Sequence, residues 1–200
     1  MNSNQKKHKD VYFSALTSTT CQQRFEEIYH AHIDALYHYG MKFNANRELI
    51  EDCIQDLFAD LWEKKNELDT IRSLRSYLLG ALRRKVLRKV YSGREQLYDF
   101  EDLTEFFEMK LLQEDNNTLT SFTEEHSQQI KNAFNKLTEK QKEVIYLRFY
   151  NQLSFKEIAD VMSVQIRTVY KLAHRAIDML KTELSSCTTA LQFILFCLYS

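Results

Sequence analysis

Apolar residues in the second half of the chain follow a helical period through two neighbouring segments. In the first segment, Ile158, Ala159 and Met162 fall on one face at helical spacing. A short break at 163–165 follows, and apolar positions then recur in steps of three and one as an amphipathic stripe. The stripe consists of Val169, Leu172, Ala173, Ala176, Ile177 and Leu180. The pattern predicts two short helices joined by a tight turn.

Polar residues mark the starts of these helices. Ser154 and Glu157 form a capping box, in which the serine oxygen accepts a backbone N–H of the first turn and the glutamate reaches back to the serine N–H. Thr138 and Gln141 form a second box before another predicted helix. The break has Ser163 where glycine would suit a positive φ. The segment therefore has the layout of a helix-turn-helix preceded by a supporting helix.

The first half of the chain repeats the same stepping in a longer helix predicted from Arg47 to Lys64, after an apolar pattern that opens at Phe25. Its apolar face consists of Ile50, Cys53, Ile54, Leu57, Phe58, Leu61 and Trp62, and its outer face carries Asp52, Gln55, Asp56, Asp60 and Glu63. A second helical pattern follows, in which apolar positions from Tyr77 to Val90 alternate with arginines and lysines.

Charge is segregated along the chain, although the formal net charge is only −1. Residues 71–94 carry eight basic and no acidic residues, whereas residues 95–126 carry one basic and ten acidic residues. Residues 127–184 carry ten basic and six acidic residues. Such blocks matter more than the total, because fields between exposed charges act within about 8–10 Å. A basic helix without acids favours binding to DNA or RNA over a merely solvated face.

Proline is absent and only three glycines occur, which favours helices, and no run of alternating strands is present. We therefore expect an all-α protein of two small helical domains joined by an acidic linker, the second domain being the helix-turn-helix. The expected boundaries are 20–92 for the first domain, 93–126 for the linker and 127–184 for the second domain, with an apolar C-terminal tail at 185–200. The apolar part of this tail is too short to span about 30 Å of hydrocarbon.

The four cysteines have no close spacing and indicate reduced thiols in a cytoplasmic protein. No long apolar run follows the N-terminal lysines, so no signal peptide is expected. Acidic residues at 52, 56 and 60 form a row that a metal or acid/base site could use, but a solvated or partner-facing edge is the favoured interpretation. The histidines at 30, 32 and 38 do not share one helical face. No catalytic residue, metal ligand or cofactor is predicted.

The outer face of the last predicted helix carries the candidates for DNA binding. Their donors suit phosphates and the base acceptors of the major groove. Arg148, near the end of the preceding helix, is a candidate for the DNA backbone. The alternative is an ordinary helical hairpin with a solvated charged face. The candidates on the helix are Arg167, Tyr170, Lys171, His174 and Arg175.

Together these segments resemble the extracytoplasmic-function sigma factors, the smallest sigma subunits of bacterial RNA polymerase. The resemblance covers about residues 20–184. It is carried in the first half by Glu51 to Trp62 and by Ser73 to Leu78. In the second half it is carried by Leu137 to Val144 and by Leu153 to Ala176.

The resemblance implies a protein that binds core RNA polymerase, recognises the −10 and −35 promoter elements and directs transcription initiation. It implies promoter DNA and a membrane-bound anti-sigma factor as further partners, no small-molecule substrate, and an acidic linker that lies in a cationic polymerase channel. The alternative for the linker is a disordered acidic tether or a short helix from Leu103 to Leu112. The implied polymerase contacts are Asp52, Gln55, Asp56, Phe58 and Trp62. The implied −10 contacts are Arg75, Tyr77, Arg83 and Arg84, and the −35 contacts are Arg148 and the outer face of the last helix.

Three other functions fit parts of the sequence. A stand-alone helix-turn-helix regulator with an N-terminal oligomerisation domain would bind palindromic DNA as a dimer without polymerase. An adaptor that sequesters a polymerase or receptor would direct no promoter-specific transcription. A metal-dependent enzyme would use the acidic row and is the most distant of the three.

Overall fold

A computed structural model describes residues 21–43, 46–64, 68, 70–93 and 124–184. All secondary structure in these ranges is helical, which confirms the all-α prediction. The expected tail and all but the ends of the expected acidic linker lie outside the described residues. The helices are α1 (Cys21–Met41), α2 (Arg47–Glu63), α3 (Leu74–Gly93), α4 (Glu124–Asn135), α5 (Glu139–Phe149), α6 (Phe155–Met162) and α7 (Ile166–Glu183).

Helices α1, α2 and α3 pack together around the apolar stripe of α2. The Asn46 side chain caps this helix by accepting the backbone N–H of Leu49 at 3.1 Å. The stripe is buried as predicted except at its end, where Trp62 remains 38% exposed. Its buried members are Ile50, Cys53, Ile54, Leu57, Phe58 and Leu61.

Helices α4 to α7 form the second unit, in which α7 packs against α4, α5 and α6. The predicted capping box at the start of α6 is present. Glu157 accepts the backbone N–H of Ser154 at 2.9 Å, and the Ser154 hydroxyl accepts that of Glu157 at 3.3 Å. At the start of α5, the Gln141 side chain accepts the Thr138 backbone N–H at 2.8 Å. Local chemistry thus fixes where these two helices begin.

The turn between α6 and α7 is a Schellman motif with a serine in the left-handed position. Ser163 has φ 55° and ψ 45°. The Val164 N–H donates to the Ala159 carbonyl at 3.0 Å, and the Ser163 N–H donates to the Asp160 carbonyl at 3.3 Å. The positive φ expected from the sequence is therefore adopted, although the residue is not glycine.

Replacing Ser163 by glycine is expected to stabilise the second unit by about 0.5–1 kcal/mol. A side chain in the left-handed region costs about 1–2 kcal/mol, and the greater freedom of glycine in the unfolded chain offsets part of the gain. Urea unfolding followed by circular dichroism measures the change. Ser163→Ala keeps the Cβ and should give no gain, so a stabilisation equal to that of glycine would contradict this explanation.

The two units are in direct contact, because α3 crosses α6. A Cβ atom built on Gly80 of α3 would lie 3.3 Å from the Cα of Val161 in α6. Such a distance is tighter than ordinary van der Waals contact, so the close crossing depends on glycine at this position.

In the part of the chain that the structure describes, no helix is both long enough and apolar enough to cross a membrane.

Candidate functional site

The outer face of α7 presents the predicted DNA-binding side chains to solvent. Burial of Val169, Ala173, Ala176 and Leu180 against the rest of the unit fixes the rotation of the helix about its axis. All five predicted residues of the opposite face are exposed, namely Arg167, Tyr170, Lys171, His174 and Arg175.

Two of these side chains have neighbours that orient them. The Tyr170 ring lies 4.8 Å from the Phe155 ring, so α6 supports it from one side. The His174 Nδ1 lies 2.8 Å from an Asp178 carboxylate oxygen one turn later. The cations Arg167, Lys171 and Arg175 are exposed, so their charges are accessible to a phosphate at this surface.

Arg148, the predicted contact with the DNA backbone, is bound inside the second unit. Its guanidinium donates to the Leu153 carbonyl at 3.2 Å and lies 5.3 Å from the centre of the Phe155 ring. These contacts join the end of α5 to the start of α6. The structure therefore gives Arg148 a role in holding the helix-turn-helix together, and its contact with DNA stays a prediction.

Two lysines of α3 have acidic partners on α2. Lys85 lies 2.7 Å from Asp60, and Lys89 lies 3.5 Å from Asp56, so α2 supplies two of the acids. The hydrogen bond from Lys85 lowers the pKa of the Asp60 carboxyl below its usual value. The absence of acids within the basic block of the sequence therefore did not exclude ion pairs with another helix.

The predicted −10 residues of α3 fall into two groups. Arg84 is exposed and Tyr77 is half-buried. Arg75 and Arg83 instead reach the second unit: Arg75 donates to the Asn151 side chain at 3.2 Å, and Arg83 binds Glu143 at 2.7 Å. The structure thus brings these two arginines against α5 and the residues that follow it.

The outer surface of α2 combines carboxylates with aromatic rings. Asp52, Gln55 and Asp56 are exposed. Trp62 packs edge-on against Phe25 of α1, with ring centres 4.9 Å apart. This half-exposed indole beside exposed carboxylates is typical of a protein-binding surface, because an aromatic ring supplies apolar area and the acids set the charge of the partner.

Phe58, the fifth residue predicted for this surface, is only 5% exposed. Its ring lies under Phe25 and Tyr29, at 5.9 and 4.8 Å between ring centres. Phe58 therefore supports the surface aromatics from below, and its direct contact with a partner stays a prediction.

The row of carboxylates at 52, 56 and 60 shows no geometry for a metal. Within the described ranges, no group of three or more His, Cys, Asp or Glu side chains could hold a metal ion. His32 is half-buried, and burial lowers the pKa of its imidazole, with the Arg75 charge adding to the effect.

Sequence reasoning missed Tyr39 and Glu143. The Tyr39 hydroxyl donates to Glu143 at 2.7 Å, and the same carboxylate receives Arg83. A signal was present in the sequence: Glu143 is the one acid in the run from Gln141 to Leu147, whose other members are mostly apolar. A charged residue in such a run requires a partner when it is buried.

Two family models match the chain. The model of Sigma-70 region 2 matches residues 28–104, and that of Sigma-70, region 4 matches residues 127–180. The chain belongs to the sigma-70 family. Its two matched regions span about two thirds of the sequence, and they confirm the resemblance to extracytoplasmic-function sigma factors. Sigma factors are regulatory proteins and not enzymes.

Solved structures with a similar fold include two sigma factors. The sigma factor RpoE of Bartonella quintana, in complex with the anti-sigma factor NepR, is 18% identical, with a TM-score of 0.52 over 80% of this chain and 96% of that one. CnrH, in complex with the cytosolic domain of CnrY, is 20% identical, with a TM-score of 0.51 over 83% of this chain and 90% of that one. No curated protein has significant sequence similarity to this sigma factor.

Proposed function

We propose that this sigma factor binds core RNA polymerase through the outer surface of α2 and recognises a promoter through α3 and α7. Region 2 would hold the −10 element, and region 4 would hold the −35 element. The observation that carries the proposal is the exposed cationic face of α7, positioned by a helix-turn-helix, in the same chain as the acidic and aromatic surface of α2.

The α2 surface suits a cationic partner. Asp52, Gln55 and Asp56 can form charge-assisted or neutral hydrogen bonds, and Trp62 offers a half-exposed ring next to them. Tyr29 of α1 is 37% exposed and widens the aromatic area. A clamp helix of polymerase with basic side chains would match this combination.

The α3 residues suit an opened DNA strand. Tyr77 and the arginines Arg75, Arg83 and Arg84 combine a ring for stacking with donors for phosphates and base edges. Stacking and edge hydrogen bonds compensate for unstacking a base, which costs a few kcal/mol. The α7 residues suit duplex DNA, because a helix fits the major groove and its N-terminal part contacts the bases.

An anti-sigma protein is the proposed regulatory partner. The two similar structures both hold a sigma factor in complex with an anti-sigma factor, which supports the same kind of partner for this chain. The exposed apolar side chains of α7, Ile166, Tyr170 and Met179, offer area for such a contact.

Run-off transcription with core polymerase on a library of randomised promoters tests the proposal. We expect discrete start sites and two enriched sequence blocks upstream of them, one read by each region. Arg175→Ala should relax selection in the upstream block only. Binding of the pure protein to palindromic DNA, without affinity for core polymerase, would instead support a stand-alone regulator.

A further inference from the structure

The contact between α1–α3, which we call the first region, and α4–α7, which we call the second region, is centred on one buried carboxylate. We call this contact the seam. Glu143 of α5 is 1% exposed and accepts hydrogen bonds from Tyr39 and Arg83, which belong to α1 and α3 of the first region. Arg83 binds it in a fork, with Nε 2.7 Å from one carboxylate oxygen and a terminal nitrogen 3.2 Å from the other. We name Tyr39, Arg83 and Glu143 the interdomain latch.

Inside the latch, the Glu143 carboxylate has a hydrogen-bond donor in Tyr39 and a cation in Arg83. Burial raises the pKa of the Tyr39 hydroxyl well above its usual value, and the Glu143 charge adds to this effect, so the phenol stays a neutral donor. A fork-like arginine pair is the strongest arrangement for a carboxylate. Removing Glu143 would take away the acceptor that Tyr39 and Arg83 share, which disfavours the closed arrangement.

Further contacts join the two regions beside the latch. Arg75 of α3 donates to the Asn151 side chain, which is buried. The Tyr39 ring stacks on Tyr146 of α5, with centres 5.9 Å apart and planes 14° apart. Tyr146 in turn stacks on Tyr150 at 4.9 Å. These contacts add a further hydrogen bond and stacked aromatic rings to the charged contact of the latch.

The closed seam conflicts with promoter binding. Arg75 and Arg83, two of the four proposed −10 contacts, already bind the second region. The Glu143 carboxylate occupies Arg83 much as a DNA phosphate would. Elements at −10 and −35 are also about 25 base pairs apart, or about 85 Å along a duplex at 3.4 Å per pair. Helix α7, with 18 residues, is only about 27 Å long at 1.5 Å per residue. Because its unit lies directly against the first region, α7 is too close to that region for the two to bind elements so far apart at the same time.

We propose that the interdomain latch holds the free sigma factor in an autoinhibited state, in which Glu143 competes with the −10 strand for Arg83. The assignment of Arg83 to the −10 strand rests on the proposed function, whereas the closed state itself does not. Opening would separate the regions, expose Arg75 and Arg83 and allow the two promoter elements to be bound at the same time. The outer face of α7 is exposed in the closed state, so the latch blocks the −10 element selectively.

Two variants of the full-length chain open the seam in different ways. Glu143→Ala removes the acceptor that Tyr39 and Arg83 share. Gly80→Leu places a side chain at the crossing of α3 and α6, where Val161 leaves no room, and it also raises the helix propensity of α3. The second variant therefore opens the seam while favouring the fold of the first region, which separates opening from unfolding.

A matched control removes the same charge from a place outside the seam. Glu183 of α7 pairs with Lys136 at 2.6 Å within the second region. Glu183→Ala should leave the contact between the regions unchanged.

Small-angle scattering and DNA binding by the free protein test the latch. We expect both seam variants to increase the radius of gyration by several ångströms relative to wild type and Glu183→Ala. Glu143→Ala and Gly80→Leu should also bind a −10 single strand roughly tenfold more tightly, since the strand no longer competes with the second region. Binding to a −35 duplex should not change.

The outcomes separate the latch from the proposed function. A wild-type chain that is already extended, or seam variants as compact as wild type, would overturn the latch. An equal increase in affinity for the −10 strand and the −35 duplex would also overturn the latch, because α7 is already exposed in the closed state. Expansion of both variants without binding to either DNA would support the latch while contradicting the proposed promoter contacts.

Discussion

Alanine at both Asp56 and Trp62 is expected to weaken assembly with core polymerase by roughly 30- to 100-fold. Tryptophans at the centre of interfaces commonly contribute 2 kcal/mol or more, and a charged group at the rim adds less. Among the described residues, Asp56 forms a long pair with Lys89 at 3.5 Å, in which 58% of the Asp56 side chain is exposed. Removing Asp56 should therefore cost the fold little, whereas removing Trp62 also loses its edge-on contact with Phe25, so the double variant must be shown to be folded.

Fluorescence anisotropy with labelled sigma factor and core polymerase, in the absence of DNA, measures this change. Asp160→Ala and Met179→Ala form the matched control, because Asp160 is an exposed acid and Met179 has the same 38% exposure as Trp62, yet both lie in the second region. Thermal unfolding establishes that the double variant is folded. Wild-type affinity in a folded double variant would remove the α2 surface from the polymerase interface.

Local patterns in the sequence were sufficient for most of the helices. The stepping of apolar residues by three and one predicted α2 and α7, because a helix buries one stripe regardless of what covers it. The capping box at Ser154 and Glu157 fixed the start of α6. The positive φ at Ser163 followed from the need for a tight turn, although the serine itself gave no signal for it.

Long-range pairing could not be predicted in the same way. Arg83 and Glu143 are 60 residues apart, and Tyr39 and Glu143 are 104 apart, so no periodic pattern relates them. The pairs of Lys85 and Lys89 with α2 depend on how two helices are rotated in the bundle. The exposed face of α7 was predictable because it is the complement of a buried stripe. The contacts of Arg75 and Arg83 with the second region were not predictable, because they depend on how the two regions pack together.

Removing the three cations Arg167, Lys171 and Arg175 together is expected to abolish selective binding to the −35 duplex. Each good base contact contributes about 1–3 kcal/mol of discrimination, and each lost phosphate contact lowers the salt slope by about 0.9. The three side chains are exposed and project from the face of α7 opposite its buried stripe. Their loss therefore acts on DNA and not on the packing of the second region.

Single alanine variants distinguish the two kinds of contact. A residue that binds a phosphate should weaken all sequences alike and flatten the salt dependence, whereas a residue that reads a base should relax selection at one position with the slope less affected. Titrations of the duplex at several salt concentrations measure both effects. Lys181→Ala removes the same charge from the last turn of α7 and serves as the control. If the triple variant binds the selected duplex with wild-type affinity and salt slope, then α7 is not the helix that enters the groove.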